Sequence, residues 1–138
     1  MSITLQALLG FIAWTLGLLV LMEGIRSWLV LRGAVPANGF NPENSNLSPF
    51  MQRLARAHAN CLEGLPIFGG LMLIAVVADR SAVTDPLAWW LLAARVVQSL
   101  IHLASTSPAA VKARFTAFGV QMGIGVYWVF GLAMSSSA

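Results

Sequence analysis

Charge is scarce in this chain. Asp, Glu, Lys and Arg make up 9% of its 138 residues, against roughly 25% in soluble domains. Hydrophobic residues make up 58%, and the mean hydropathy is +0.78. A chain this short cannot hide so much apolar surface from water, so an ordinary soluble domain is excluded and the solvent is lipid. There is one cysteine, Cys61. No intrachain disulfide can form, and thiols say nothing of the compartment. The basic residues form no compact run, so the net charge of +3 reads as basic loops at one membrane face, with no nucleic acid as partner. Glycine-rich phosphate loops, dinucleotide fingerprints and serine-hydrolase elbows are missing. The two histidines and Glu63 lack the spacing of a helical metal site, so no metal is expected. No internal repeat is apparent. No basic stretch precedes the first apolar run, which exceeds the roughly 7–15 residues of a signal-peptide core. It reads as a permanent first helix.

Residues 3–22, 64–78 and 115–138 contain no charged residue. A membrane helix needs about 20 apolar residues. The first and last runs meet that directly. The middle run reaches it by extending back through the semi-polar 49–63 segment, and a further run, 86–105, is interrupted only by Arg95. The expectation is one all-α domain over 1–138, an integral membrane four-helix bundle, with helices near 3–31, 49–78, 86–105 and 113–134. Residues 32–48 are rich in Asn, Pro, Gly and Ser and read as a loop. Ser48-Pro49 reads as a helix start, with Ser at N-cap and Pro at the first position. Thr84 or Asp85 would cap the third helix ahead of Pro86. The stretch from Ser105 to Arg114 would join the last two helices, and the Ser135–Ala138 tail is expected to fray. Arg32, Arg53, Arg56, Lys112 and Arg114 fall in or beside loops 1–2 and 3–4. By the excess of positive charge on the inner side, these loops are cytoplasmic and both termini lie opposite.

The scarce polar residues are ordered. At about 100° per residue, positions i, i+4 and i+7 share a helix face. Arg56, Asn60 and Glu63 have that spacing, Arg53 extends the row, and His58 points elsewhere. Arg95, Gln98 and His102 form a second row, and Arg114, Phe118 and Gln121 a third. An ionisable group at mid-bilayer costs about 2.5–3.5 kcal/mol on insertion scales, so Arg95 and Glu63 are expected to pair across helices two and three. Glu23 and Arg26 form an i, i+3 pair that can join them. These residues can be interhelical glue. Three rows meeting at the cytoplasmic end instead suit a pocket where a small anionic ligand meets an apolar one. Other features read as structure: Gly119-xxx-Gly123 as a packing face, Trp89 and Trp90 as interfacial anchors, Cys61 as a core filler, and His58 as a capping or loop-contacting residue.

The stretch "RAHANCLEGLPIF" (Arg56–Phe68) resembles the second-helix signature of the MAPEG family, the membrane-associated proteins in eicosanoid and glutathione metabolism. The matching positions are Arg56-Ala57, Asn60, Glu63, Pro66 and Phe68. A polar first loop with "NPE" (Asn41–Glu43), Arg95 in helix three and Arg114 opening helix four support it, so the resemblance covers nearly the whole chain. It implies a homotrimer with glutathione bound between subunits near the cytoplasmic face, beside a hydrophobic small molecule or lipid from the bilayer. Arg56 and Asn60 would hold the peptide's polar groups and Glu63 its ammonium. Arg95 would order the site by pairing with Glu63. Arg26 or Arg32 would reach a glutathione carboxylate. Gln98, His102 and Phe118 complete the implied binding set. Arg114 matches the arginine credited with stabilising the thiolate.

The chain also departs from the family's glutathione-using members. Ala59 stands where several carry another arginine. Gln98 and His102 occupy a row that is often tyrosine-rich, Phe118 replaces a tyrosine found in some, and the loop before Arg114 looks longer. Three functions are therefore carried forward. The first is a bacterial-type membrane glutathione transferase, with or without peroxidase activity, in an inner membrane. The second is a non-catalytic lipid-binding or partner-presenting relative. The third is a transporter subunit or purely structural trimer.

Overall fold

The computed structural model describes residues 1–135. Four helices are each long and apolar enough to cross a membrane: α1 (Ile3–Leu31), α2 (Pro49–Val77), α3 (Ser81–Ala104) and α4 (Pro108–Met134). They run alternately up and down. At the end holding the α1–α2 loop and the α3–α4 turn, Arg53 Nε donates to the Leu103 carbonyl at 2.8 Å. At the other end the hydroxyls of Thr4 and Thr84 meet at 2.6 Å. Helix α3 touches each of the other three. Leu9, Leu16, Val20, Leu73, Val77, Val126 and Phe130 turn outward, as lipid permits and water does not. The expected all-α four-helix bundle is what forms.

The helix ends follow local chemistry. Ser2 and Ser48 cap α1 and α2 by accepting from Leu5 N and Met51 N. Gly33, at φ +74°, ends α1, with the Ala34 N–H returning to the Leu29 carbonyl and the Gly33 N–H to the Val30 carbonyl. Asp79, at φ 57°, ends α2 the same way, with Arg80 N–H on Ala75 O and Asp79 N–H on Val76 O. In both, one left-handed residue folds two N–H groups back onto the last free carbonyls.

Two starts differ from expectation. Helix α3 begins at Ser81, so Thr84 and Asp85 lie inside it rather than capping it. They bind α1 instead: the Asp85 carboxylate accepts from the Thr4 N–H at 2.8 Å and from the Thr4 hydroxyl. Pro86 is inside the helix, close enough to its start that few backbone bonds are lost. Helix α4 begins at Pro108, with Ser107 as N-cap accepting from Ala110 N at 3.2 Å. Ser107-Pro108 repeats the Ser-Pro pair that starts α2, and it places Arg114 in the second turn rather than at the opening. Within α2, residues Leu65–Gly69 form a π-turn. Pro66 lacks an N–H and crowds the preceding turn, and a π-turn relieves both. From residue 136 on, the tail expected to fray lies outside the described residues.

The long first loop is tied to α1 through Asn44, which is fully buried. Its Oδ1 accepts from Arg26 Nε at 3.0 Å and Nη2 at 2.5 Å. Its Nδ2 donates to the Met51 carbonyl at 2.8 Å. Arg26 also reaches the Asn41 carbonyl at 3.1 Å, and its guanidinium lies 5.5 Å from the Phe40 ring centre. Asn44→Ala removes three hydrogen bonds and leaves the guanidinium with only the Asn41 carbonyl and Glu23 as partners. The expected loss is about 2–4 kcal/mol. Thermal unfolding should register it, and limited proteolysis should cut the 32–48 loop faster. Asn44→Gly tolerates the positive φ of 56° yet should recover little, since the bonds stay lost.

The core has two apolar clusters. One, towards the termini, joins Phe11, Phe68, Met72, Leu91, Ile124 and Trp128. The other, under the first loop, joins Leu18, Met22, Met51, Leu54, Ala57 and Cys61. A Cβ on Gly119 or Gly123 would meet no described residue within 4 Å, whereas one on Gly125 would stand 3.0 Å from the Phe68 ring. The expected packing face is thus open among the described residues.

Candidate functional site

The polar rows of α2, α3 and α4 meet. Asn60 Oδ1 accepts from Arg95 Nη1 at 2.6 Å and from Gln98 Nε2 at 3.0 Å. Gln121 Nε2 donates to Gln98 Oε1 at 2.7 Å and to the Ala117 carbonyl at 3.1 Å. Below them the Cys61 thiol and Ser99 hydroxyl are 3.1 Å apart, so Cys61 does sit in the core. Arg95 is fully buried. Its guanidinium lies 5.6 Å from the Phe11 ring centre and 6.0 Å from that of Phe118. Its Nε and Nη2 have no partner among the described residues.

The Glu63–Arg95 pair is not formed. Glu63 is exposed, and the only ion pair among the described residues is Arg26–Glu23 at 3.0 Å. The cause is the rotation of α2. Ala57, Cys61 and Gly64 are its buried face, and Gly64 occupies the place opposite Arg95: a Cβ there would come within 2.7 Å of Arg95 Nη2. Glu63 stands about 100° round the helix from Gly64. Asn60, one turn earlier, takes the guanidinium instead. The Glu23–Arg26 pair belongs to the first-loop clamp and does not join Arg95.

A groove between α2, α3 and α4 collects most of the expected residues. Asn60, Gln98, His102, Arg114 and Phe118 line a polar cavity of about 200 Å³. Next to it, Asn60, Glu63, Gly64, Phe68 and Phe118 line one of about 150 Å³. Beyond lies an apolar cavity of about 490 Å³ walled by Ile67, Phe68, Leu71, Phe118, Met122, Val126 and Phe130. Phe118 borders all three, its ring edge-on to Phe68 at 6.5 Å. Ile67, Val126 and Phe130 are each about 60% exposed (60%, 58% and 62%), so the apolar cavity opens on the outer surface of the bundle. His102 is buried with Nδ1 unpartnered among the described residues.

Three expected residues sit elsewhere. Arg26 is engaged by Asn44, and Arg32 stacks on Trp28 at 4.5 Å. Arg56 is exposed and lines a cavity of about 320 Å³ under the first loop, with Glu43, Gln52 and Ala59.

The family model described as "MAPEG family" matches residues 4–134. The chain belongs to the MAPEG family. It is accordingly a multi-pass integral membrane protein built as a four-helix bundle. No curated protein and no solved structure matches it significantly. In this MAPEG chain the residues that sequence reasoning missed are Gly64, which makes room for Arg95, and the apolar wall from Ile67 to Phe130. A glycine or leucine in a greasy run carries no sign of facing a cavity. Gln121 carried one, since it falls in the row begun by Arg114.

Proposed function

We propose that this MAPEG member is a membrane glutathione transferase, with glutathione as co-substrate and a hydrophobic electrophile or lipid hydroperoxide as its other substrate. One observation carries the reading. A polar cavity with the amide of Asn60 and the cation of Arg114 adjoins, at Phe118, an apolar cavity that opens on the outer surface of the bundle. A water-soluble thiol and a membrane-soluble electrophile meet most simply at such a junction, and holding two reactants together supplies much of a rate.

In this reading Asn60, Gln98, His102 and Phe118 surround the bound peptide, Glu63 receives its ammonium, and Arg95 sets the positive potential of the floor. Arg114 holds the sulfur as thiolate. Arg56, on the same row of α2, meets the peptide where a neighbouring subunit of a homotrimer completes the site. Arg26 and Arg32 contribute only after leaving Asn44 and Trp28. The loops bearing the basic residues face the cytoplasm of a bacterial inner membrane.

The test is thermal stability of the detergent-purified protein with millimolar glutathione or S-hexylglutathione. At 100 times its Kd a ligand stabilises by about 2.7 kcal/mol. A rise in Tm that Glu63→Ala reduces and Ala59→Arg leaves in place is the expected result. Equal loss in both variants would count against the site.

A second reading, a non-catalytic lipid-binding or partner-presenting protein, draws on the apolar cavity alone and on the engagement of Arg26 and Arg32 within their own subunit. It predicts a Tm rise with fatty acids and none with either thiol ligand.

A further inference from the structure

The amides at the floor of the groove form a chain whose direction is set at both ends. An amide's oxygen and nitrogen are told apart by their partners. At one end, Arg95 Nη1 is 2.6 Å from the Asn60 side-chain amide. A guanidinium only donates, so the atom facing it is the Asn60 oxygen. At the other end, the Gln121 amide is 3.1 Å from the Ala117 carbonyl. A carbonyl only accepts, so the Gln121 atom facing it is nitrogen. Between them, that nitrogen meets Gln98 Oε1 at 2.7 Å, and Gln98 Nε2 meets Asn60 Oδ1 at 3.0 Å. The two ends agree on the orientation of all three amides.

The consequence falls on Asn60. Its oxygen is held by two donors, so its NH2 group is the part left for a ligand. Asn60 makes hydrogen bonds among the described residues only through its oxygen, is half-buried, and lines two of the groove's cavities. We infer that Gln121, acting through Gln98, is a positioning residue that keeps Asn60 facing the groove as a donor. The ligand group received beside it is therefore a hydrogen-bond acceptor, a carboxylate or amide carbonyl, and not an amine or hydroxyl donor. The inference rests on the groove being the ligand site, as proposed above, but not on the ligand being glutathione.

Gln121 is fully buried on α4, and its Oε1 has no partner among the described residues. Its contribution is thus the donor that it aims at Gln98. Without that donor Gln98 can turn its oxygen towards Asn60 Oδ1. Two acceptors repel, and Asn60, held then by Arg95 Nη1 alone, turns its NH2 group away from the groove for part of the time.

The experiment uses the full chain in nanodiscs with its side-chain amides labelled with nitrogen-15. Without ligand, the Asn60 NH2 protons should exchange quickly with water, while those of Gln98 and Gln121 stay protected. Slow exchange at Asn60 with fast exchange at Gln121 would overturn the inference. Glutathione is then titrated into three forms. Asn60→Asp keeps both acceptor contacts to Arg95 and Gln98 but offers the groove an acceptor, and should weaken binding about tenfold or more. Gln121→Met, close in size, should weaken it about twofold and slow exchange at Asn60. A merely structural role for Gln121 would lower Tm and leave Asn60 exchange unchanged, and that pattern would also overturn the inference. If the wild-type protein binds no glutathione, the proposed function fails, and the exchange pattern still decides the relay.

Discussion

Arg95→Met is expected to leave the bundle folded, at equal or higher Tm, and to weaken glutathione at least about tenfold. The expectation follows from what Arg95 lacks. It is fully buried, yet it makes one hydrogen bond, to Asn60, and meets no carboxylate among the described residues. Two of its nitrogens are unpartnered there. Burying an ion costs several kcal/mol unless partners compensate, and the rings of Phe11 and Phe118 return only about 1–2 kcal/mol each at best. Methionine, the longest unbranched apolar side chain, reaches about as far as Nε and removes the desolvated charge. Asn60 Oδ1 keeps Gln98 as donor, so the change orphans no buried acceptor. Replacing buried charge by a well-packed apolar side chain is often neutral or stabilising by about 1–4 kcal/mol. An arginine so placed for stability would be a poor choice, which is why loss of binding with no loss of stability is the predicted pattern. Thermal unfolding and glutathione titration on one preparation check it. A Tm that falls sharply while binding persists would make Arg95 a structural residue.

Arg114→Ala should lower turnover by about 10²–10³ and change glutathione affinity only a few-fold. Arg114 lines the polar cavity with Asn60 and His102, and no carboxylate pairs with it among the described residues. Phe118, one turn along the same helix, is the border with the apolar cavity. A sulfur lying between them would have the cation on one side and the route to lipid on the other. A free thiol has a pKa of about 8.5, and a nearby cation lowers it by favouring the anion. The bound thiol should therefore ionise at lower pH in the wild-type protein, and in Arg114→Ala its ionisation should move back up towards the free value. Ultraviolet absorbance of the bound thiolate across a pH series reads this directly. Arg114→Lys keeps the charge and should recover part of the rate. Unchanged turnover in Arg114→Ala would remove this residue from the chemistry.

Both expectations rest on residues visible in the sequence, and on a geometry that was only partly so. Nine per cent charge in 138 residues leaves lipid as the solvent, and in lipid a backbone must satisfy itself by helix or closed barrel. Four apolar stretches of helical length then leave little but a four-helix bundle. Helix ends were legible where one dipeptide does the work, as Ser48-Pro49 does, and Ser107-Pro108 could have been read in the same way. The rows through Asn60, Arg95 and Arg114 were legible because they depend on the angle between residues of a single helix.

What the sequence could not settle is how each helix is turned about its own axis. That angle is set by side chains on two elements at once. Gly64 and Cys61 let α2 lie close against α3, and this closeness turns Asn60 rather than Glu63 towards Arg95. The capture of Arg26 by Asn44 has the same origin, because it needs the first loop, with Asn44 itself in the left-handed region, to bring residue 44 back onto α1. The cavities, too, are gaps between helices and belong to no single stretch of chain. The sequence by itself determined the solvent, the number of helices and the residues available for chemistry. Only packing decided which of them face one another, since contact depends on surfaces that meet across the fold.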